Sequence, residues 1–323
     1  MSIPNLFLVG LNRAGTTAVA SALSMHPDIF LSEQKEPNYF GHDLHTSRKR
    51  IGQKDYEQLF EQGCDKRWRL DASVVYFFSE TAAHEIKAAV PDAKIIINLR
   101  APESWLKSCY TIGHLYGHDW ASPNEAVMRR FDKFDANKIS DQWFFEGNFY
   151  VEQYLKLPKR LCQYWQLFGK ENVHIVWYDE LSADADAVII DILNWLKLPS
   201  HHVLVPLINS SEELASKYGR KPIWILKINK KLRESRLFTI YSQNSANASN
   251  RVLLTLIYTG AMVWKRMYHS SNLLLRRFQI GSKRNVKFEL SPEIRHQLAK
   301  DVEPALAELE ALTGRNLAHW RIV

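Results

Sequence analysis

Along this chain, short unbroken apolar runs alternate with stretches in which apolar residues return every three or four positions. Leu6-Phe7-Leu8-Val9 is the first run and reads as a strand, while Ala18, Val19, Ala22 and Leu23 after it share a helical face. Asp28-Ile29-Phe30-Leu31 is a short strand or extended piece, and Trp68-Arg69-Leu70-Asp71 a strand ending in a carboxylate. Residues 79–90 place Ala82, Ala83, Ile86, Ala89 and Val90 on one helical face, stopped by Pro91. Lys94–Leu99 is largely apolar, as a parallel strand covered on both faces must be. Pro102 opens the next helix and turns Leu106 and Cys109 inward. After a less regular stretch, 113–150, the pattern predicts a helix around 151–168, a strand at Val173–Trp177 and a helix over 184–196. Ser291-Pro292-Glu293 starts a last helix, with Ile294, Leu298, Val302, Leu306 and Leu309 at helical spacing up to Gly314. Pro304 falls inside it and predicts a kink or two shorter helices. This alternation is that of an α/β fold: a parallel sheet with helices on both faces.

Composition narrows the picture. With 323 residues and 46% hydrophobic content, the chain can build one large α/β domain carrying an insertion. Cys64, Cys109 and Cys162 are odd in number and widely spaced, so they form neither a disulfide framework nor a zinc site and read as free thiols in a reducing compartment. The first core strand begins near residue 5, which leaves no room for a leader or anchor before it and sets the expectation of a cytoplasmic protein. No internal repeat or low-complexity tract is present.

The net charge of +7 is unevenly spread. Residues 220–287 hold 15 lysines and arginines against one acid, Glu234, whereas the remainder holds 27 against 34. This segment is read as a basic helical insertion before the C-terminal helix, in a single domain over 1–323. Such a bias suits either a solvated face or an anionic surface, a polyanion or the inner face of a membrane, and no nucleic acid is expected. Within it, Val252–Trp264 is an apolar run of 13 residues, short of the roughly 20 needed to span a bilayer. It reads as a buried core helix or as a helix lying in a membrane interface.

The most informative local feature lies between the first strand and first helix: Gly10-Leu11-Asn12-Arg13-Ala14-Gly15-Thr16-Thr17. A glycine-bearing loop opening a helix offers backbone N–H groups and the positive end of the helix dipole to an anion. The spacing from Gly10 to Gly15 is that of GxxxxGK[ST], a P-loop, but Thr16 stands where the lysine serves the β- and γ-phosphates. The cation has moved into the loop as Arg13. The loop is built for a phosphate, but not for a magnesium triphosphate. At the end of the strand 94–99, Arg100 is followed by Ser108 two helical turns on, and this pair can hold a second phosphate beyond the carboxyl edge of the sheet.

These motifs resemble those of the sulfotransferases that use 3′-phosphoadenosine 5′-phosphosulfate. In that family a strand–loop–helix like Val9–Thr17 binds the 5′-phosphosulfate, and Leu99-Arg100-Ala101-Pro102 with Ser108 is similar to its 3′-phosphate site. Lys35-Glu36-Pro37-Asn38-Tyr39-Phe40 resembles the Lys-Glu-Pro-His-Phe-Phe loop of the heparan-type branch, whose glutamate is the base. Leu70-Asp71-Ala72-Ser73 with Tyr76 is similar to a segment lining the acceptor cleft, and the ending Leu312-Thr313-Gly314-Arg315-Asn316-Leu317 with Trp320 is also shared. The similarity covers about 1–200 and 288–323.

The resemblance implies roles. Arg13, with Asn12, the backbone N–H groups of Ala14, Gly15, Thr16 and Thr17 and the two threonine hydroxyls, would hold the leaving phosphate. Arg100 and Ser108, and more loosely Lys283 and Arg284 of Gly281-Ser282-Lys283-Arg284-Asn285, would take the 3′-phosphate. Glu36 would accept the acceptor's proton, with Lys35 orienting it or touching the donor, and Asp71, Ser73 and Tyr76 would bind the acceptor, a carbohydrate or glycolipid hydroxyl. The product would be 3′-phosphoadenosine 5′-phosphate, and no metal is required. Two departures stand out: arginine replaces the usual loop lysine, which favours an electrostatic over a proton-donating role, and Asn38 replaces the histidine. A small-molecule kinase with an unusual phosphate loop, and a non-catalytic membrane-docking protein on a nucleotide fold, are the rival readings.

Overall fold

The computed structural model describes residues 3–32, 34, 36–44, 51–115, 122–128, 148–199 and 287–322. Backbone contacts divide the chain into one unit of Met1–Tyr110, Ala121–Ile208 and Glu289–Val323 and a second of Thr111–Trp120 and Asn209–Phe288; the elements below lie in the first, apart from the last turns of one helix. Lys35, Lys283, Arg284 and the run Val252–Trp264 fall outside the described residues.

Five strands form one parallel sheet: β1 (Leu6–Gly10), β2 (Ile29–Leu31), β3 (Trp68–Asp71), β4 (Lys94–Leu99) and β5 (Val173–Trp177), in the order β2-β3-β1-β4-β5. The centre of the sheet holds the most apolar strands, because only they are covered on both faces: Leu6, Phe7, Leu8 and Val9 have no exposure, nor do Ile95, Ile96, Ile97 and Leu99. Helix α1 (Thr16–Leu23) returns along one face, where Val19, Ala22 and Leu23 join Leu6, Leu8, Ile96 and Val176 in a single core cluster.

Between the strands run α2 (Gln53–Gln58), α3 (Ala82–Ala89), α4 (Pro102–Leu115), α5 (Pro123–Met128), α6 (Asn148–Leu155), α7 (Leu157–Phe168), α8 (Tyr178–Ala183) and α9 (Ala185–Trp195), and α10 (Pro292–Thr313) closes the chain. Helix α9 packs with α1 on one side of the sheet, and α7 packs against α3 and α10. The α/β class expected from the pattern is the one observed. Among the described residues no helix is long and apolar enough to cross a membrane.

Three expectations are corrected. The helix predicted over 151–168 is two, because Pro158 has no N–H to give an interior turn and instead sits in the first turn of a new helix, α7. The helix expected over 184–196 is observed as α9, with a helix the pattern did not give, residues 178–183, before it; the Asp184 side chain caps α9 by accepting from Ala187 N. Ala89, assigned to the inward face of α3, is exposed at the helix's last turn. Of the two forms expected at Pro304, two shorter helices do not occur: α10 is one helix through Pro304, and Pro304 and Lys300, whose carbonyl loses its partner, are both exposed, so water can serve that carbonyl. Gly314, with φ 69°, ends it.

Candidate active site

All five strands run the same way, so Leu31, Asp71, Gly10, Leu99 and Trp177 end at one edge of the sheet, and the chain that leaves each strand there builds the site. The phosphate loop is fixed first. Gly10 has φ 121°, and a Cβ there would stand 2.4 Å from the Asn98 carbonyl oxygen, so only glycine lets β1 turn off this close to β4. Leu11 N then donates to Asn98 O at 2.8 Å, prolonging the ladder by one bond. Arg13 (φ 63°) and Gly15 (φ 80°) adopt left-handed conformations that fold the loop over into the first turn of α1.

Three successive carbonyls of this loop are held from outside. Trp105 Nε1 donates to Asn12 O at 2.7 Å, Arg100 Nη1 to Arg13 O at 2.6 Å, and Asn98 Nδ2 to Ala14 O at 2.9 Å. In a trans peptide the carbonyl and the following N–H point opposite ways. Pinning Ala14 O against the sheet therefore turns Gly15 N–H away from it. Among the described residues the N–H groups of Gly15 and Thr16 find no acceptor, as the start of an anion-binding helix requires.

The two candidate phosphate sites meet. Arg13 Nε donates to Ser108 Oγ at 3.2 Å, across 95 residues of sequence. Arg100 spends Nε on Ser104 Oγ at 3.0 Å and lays its guanidinium over the Tyr178 ring, 3.8 Å from the centroid. Tyr154 OH donates to the Arg100 carbonyl at 3.2 Å. Burial lowers the Arg100 pKa from its ordinary value, while Tyr178 opposes the shift; the guanidinium still remains charged at any physiological pH. Ser108 and Thr16 are buried, whereas Asn12, Arg13 and Thr17 are half-buried.

Glu36 is half-buried in the loop after β2, with φ 54°, and Asn38 has φ 53°. Neither is glycine, so this loop holds two strained left-handed residues that its surroundings must enforce. Asp71, Ser73 and Tyr76, expected along the acceptor cleft, are instead enclosed beneath this loop with no exposure at all. Their polar atoms are turned to one another and to the loop backbone: Ser73 Oγ accepts from Asn38 N at 3.0 Å, and Tyr76 OH accepts from Tyr39 N at 2.9 Å and Phe40 N at 3.3 Å. The motif was legible, but its burial was not, because alternation places Asp71 and Ser73 on a strand end that could equally face solvent.

Four residues that shape the site carry no motif of their own: Asn98, Trp105, Ser104 and Tyr178. Only Tyr178 left a signal, as an aromatic directly after a strand's carboxyl end. No group of three or more histidine, cysteine, aspartate or glutamate side chains among the described residues could hold a metal ion.

The family model of the sulfotransferase domain matches residues 4–218. The chain belongs to the sulfotransferase family. Among curated relatives it is 24% identical over 208 residues to a bifunctional heparan sulfate N-deacetylase/N-sulfotransferase 1 of Caenorhabditis briggsae, covering 61% of this chain and 23% of that one. It is 30% identical over 99 residues to a human heparan sulfate glucosamine 3-O-sulfotransferase 6, covering 31% of this chain and 27% of the other. These matches span about a quarter of the curated relatives' length. A sulfotransferase from Alicyclobacillus acidocaldarius shares the fold, with a TM-score of 0.64 at 19% identity over 99% of both chains. In this sulfotransferase, then, the phosphate loop, the arginine after β4 and the glutamate loop after β2 sit on one sheet edge.

Proposed function

We propose that this sulfotransferase moves a sulfuryl group from 3′-phosphoadenosine 5′-phosphosulfate to a hydroxyl of a carbohydrate or glycolipid. The observation that carries the reading is the junction of the two anion sites, Arg13 on Ser108 and Arg100 on the Arg13 carbonyl, at the mouth of a phosphate loop. A donor with phosphates on both the 3′ and 5′ carbons needs two such sites. The residues fit it: two guanidiniums, a buried serine, two threonines and a helix start where the N–H groups of Gly15 and Thr16 have no acceptor among the described residues. The heparan-acting relatives support a carbohydrate acceptor.

The donor supplies an activated sulfuryl group, and this chain's residues supply charge and position. Arg13 and the N–H groups at the start of α1 stabilise the charge growing on the phosphate oxygen as its bond to sulfur breaks. Arg100 and Ser108 hold the 3′-phosphate and thereby fix the donor's long axis. Glu36 takes the proton from the acceptor hydroxyl as its oxygen bonds to sulfur. Lys35, Lys283 and Arg284 are proposed to add positive charge around the donor. The basic segment 220–287 is proposed to bring the enzyme to an anionic membrane surface or polyanionic acceptor, as a peripheral cytoplasmic protein.

The test is transfer of labelled sulfate to a panel of saccharides and glycolipids. Glu36→Gln is expected to lose about 10²–10⁴-fold in kcat, the range for a general base, with donor binding kept. Equal turnover by the variant would remove the glutamate from the mechanism.

A further inference from the structure

The loop that presents Glu36 rests on a buried relay that nothing in a sulfotransferase assignment calls for. Asp71 has no exposure and accepts four hydrogen bonds: from Ser73 N at 2.9 Å, Ser73 Oγ at 2.6 Å, Tyr56 OH at 2.7 Å and Tyr76 OH at 3.0 Å. Burial raises the Asp71 pKa and these hydrogen bonds oppose the shift. As a carboxylate Asp71 has no proton to give, so all three hydroxyls must point their hydrogens at it, those of Ser73 and Tyr76 from beneath the loop. The oxygens of Ser73 and Tyr76 are then left as acceptors, and they take the three successive N–H groups of Asn38, Tyr39 and Phe40. Burial, and after it the charge of Asp71, pushes the Tyr56 and Tyr76 phenols well above their ordinary values, so both stay protonated donors. Tyr39 stacks on Tyr56 at 4.2 Å and 12°, and Phe40 meets Tyr76 edge-on at 5.8 Å. The residues held in this way begin one residue beyond Glu36, after Pro37, and include the left-handed Asn38.

We infer that Asp71, acting through Ser73 and Tyr76, is a positioning residue: it sets the direction of two hydroxyls so that they seize the backbone of 38–40 and hold Glu36 at the carboxyl edge of the sheet. The inference rests on Glu36 being the base, as proposed above. Neutral asparagine could not do the same work. Its amide would donate toward the Tyr76 oxygen, which already accepts two N–H bonds, and would leave a phenol hydrogen without a partner. A second clamp continues the first, since Glu85 accepts from Gly41 N at 2.9 Å and from His42 N at 3.1 Å.

The experiment is a double-mutant cycle in kcat on the full chain, pairing Tyr76→Phe with Glu36→Gln, and Ser73→Ala with Glu36→Gln. Titration with 3′-phosphoadenosine 5′-phosphate in every variant checks that the phosphate loop is intact. Tyr76→Phe keeps the ring and removes only the hydroxyl, which accepts from two N–H groups and donates to Asp71. If Tyr76 acts through the glutamate, Tyr76→Phe lowers kcat about tenfold or more alone and by less than about twofold in the Glu36→Gln background. Amide exchange at 38–40 quickens in step, while bisphosphate affinity stays the same. Equal losses in both backgrounds would overturn the inference and leave the network a plain part of the core. Failure of both Tyr76→Phe and Ser73→Ala to fold would overturn it too. Full activity of Glu36→Gln alone is a different result: it removes the base from the proposed mechanism, and with it anything for Asp71 to position.

Discussion

Arg100 serves two masters at once, a loop carbonyl and the proposed 3′-phosphate, and its fork geometry is what permits both. Nη1 is spent on Arg13 O and Nε on Ser104 Oγ, while the plane of the group lies on Tyr178. A lysine has neither fork nor plane. Arg100→Lys should therefore weaken binding of 3′-phosphoadenosine 5′-phosphate by about tenfold or more in a titration, the loss of roughly one charge-assisted hydrogen bond. Arg13 differs, because its proposed task appears as charge develops. Arg13→Ala is expected to lower kcat by about 10²–10³-fold, as loss of one transition-state donor does, with a smaller change in bisphosphate affinity. At this scale the sequence was legible where a charged or hydroxyl side chain sits at a motif spacing, as at Arg13, Arg100 and Ser108. It was silent where a side chain acts on a backbone carbonyl, as Asn98 and Trp105 do. Hydrogen bonds to a carbonyl leave no trace in the identity of the residue that owns it.

Among the elements, the turn out of β1 is the least tolerant. Gly10→Ala would place a methyl group 2.4 Å from Asn98 O and 2.5 Å from Asn98 N at a φ of 121°. The expected outcome is loss of bisphosphate binding and a drop in Tm of several degrees, at about 2–4 °C per kcal/mol for a domain of 150–250 residues. The loop after β2 adds a dependence on pH. Asp43 accepts from Glu80 N at 2.7 Å and Thr81 Oγ1 at 2.9 Å, and Glu85 holds Gly41 and His42. Burial raises the pKa of each, but the hydrogen bonds outweigh it and leave both below their ordinary values. A carboxylate lowered by folding stabilises the protein above its unfolded pKa, and that contribution is lost as pH falls through the folded value. Tm should thus fall on acidification below about pH 4, and Asp43→Asn with Glu85→Gln should flatten that decline. The strands β3, β4 and β5 were legible to the residue, β4 most plainly because a strand covered on both faces is written as a short apolar run. Helix boundaries were not. Periodicity alone joined α6 to α7, and it took the N–H missing at Pro158 to part them.

For the whole molecule, the parallel sheet determines function by collecting five strand ends on one edge, a long-range fact that the order of elements implied and no single motif contained. The basic excess of residues 220–287 is the feature of the whole chain that the sheet does not use. If this segment brings the enzyme to its acceptor, the protein should bind vesicles of anionic lipid at low salt and release them as salt rises, and variants neutralised in this segment should not bind. The central claim, that the phosphate loop and the arginine after β4 together hold a nucleotide phosphorylated at both the 3′ and 5′ positions, is tested most directly by calorimetric titration. The account predicts that 3′-phosphoadenosine 5′-phosphate binds without magnesium, and that Arg100→Ala weakens it by about 10–100-fold, one to two charge-assisted hydrogen bonds. Binding of magnesium-ATP with no response to the bisphosphate would contradict it.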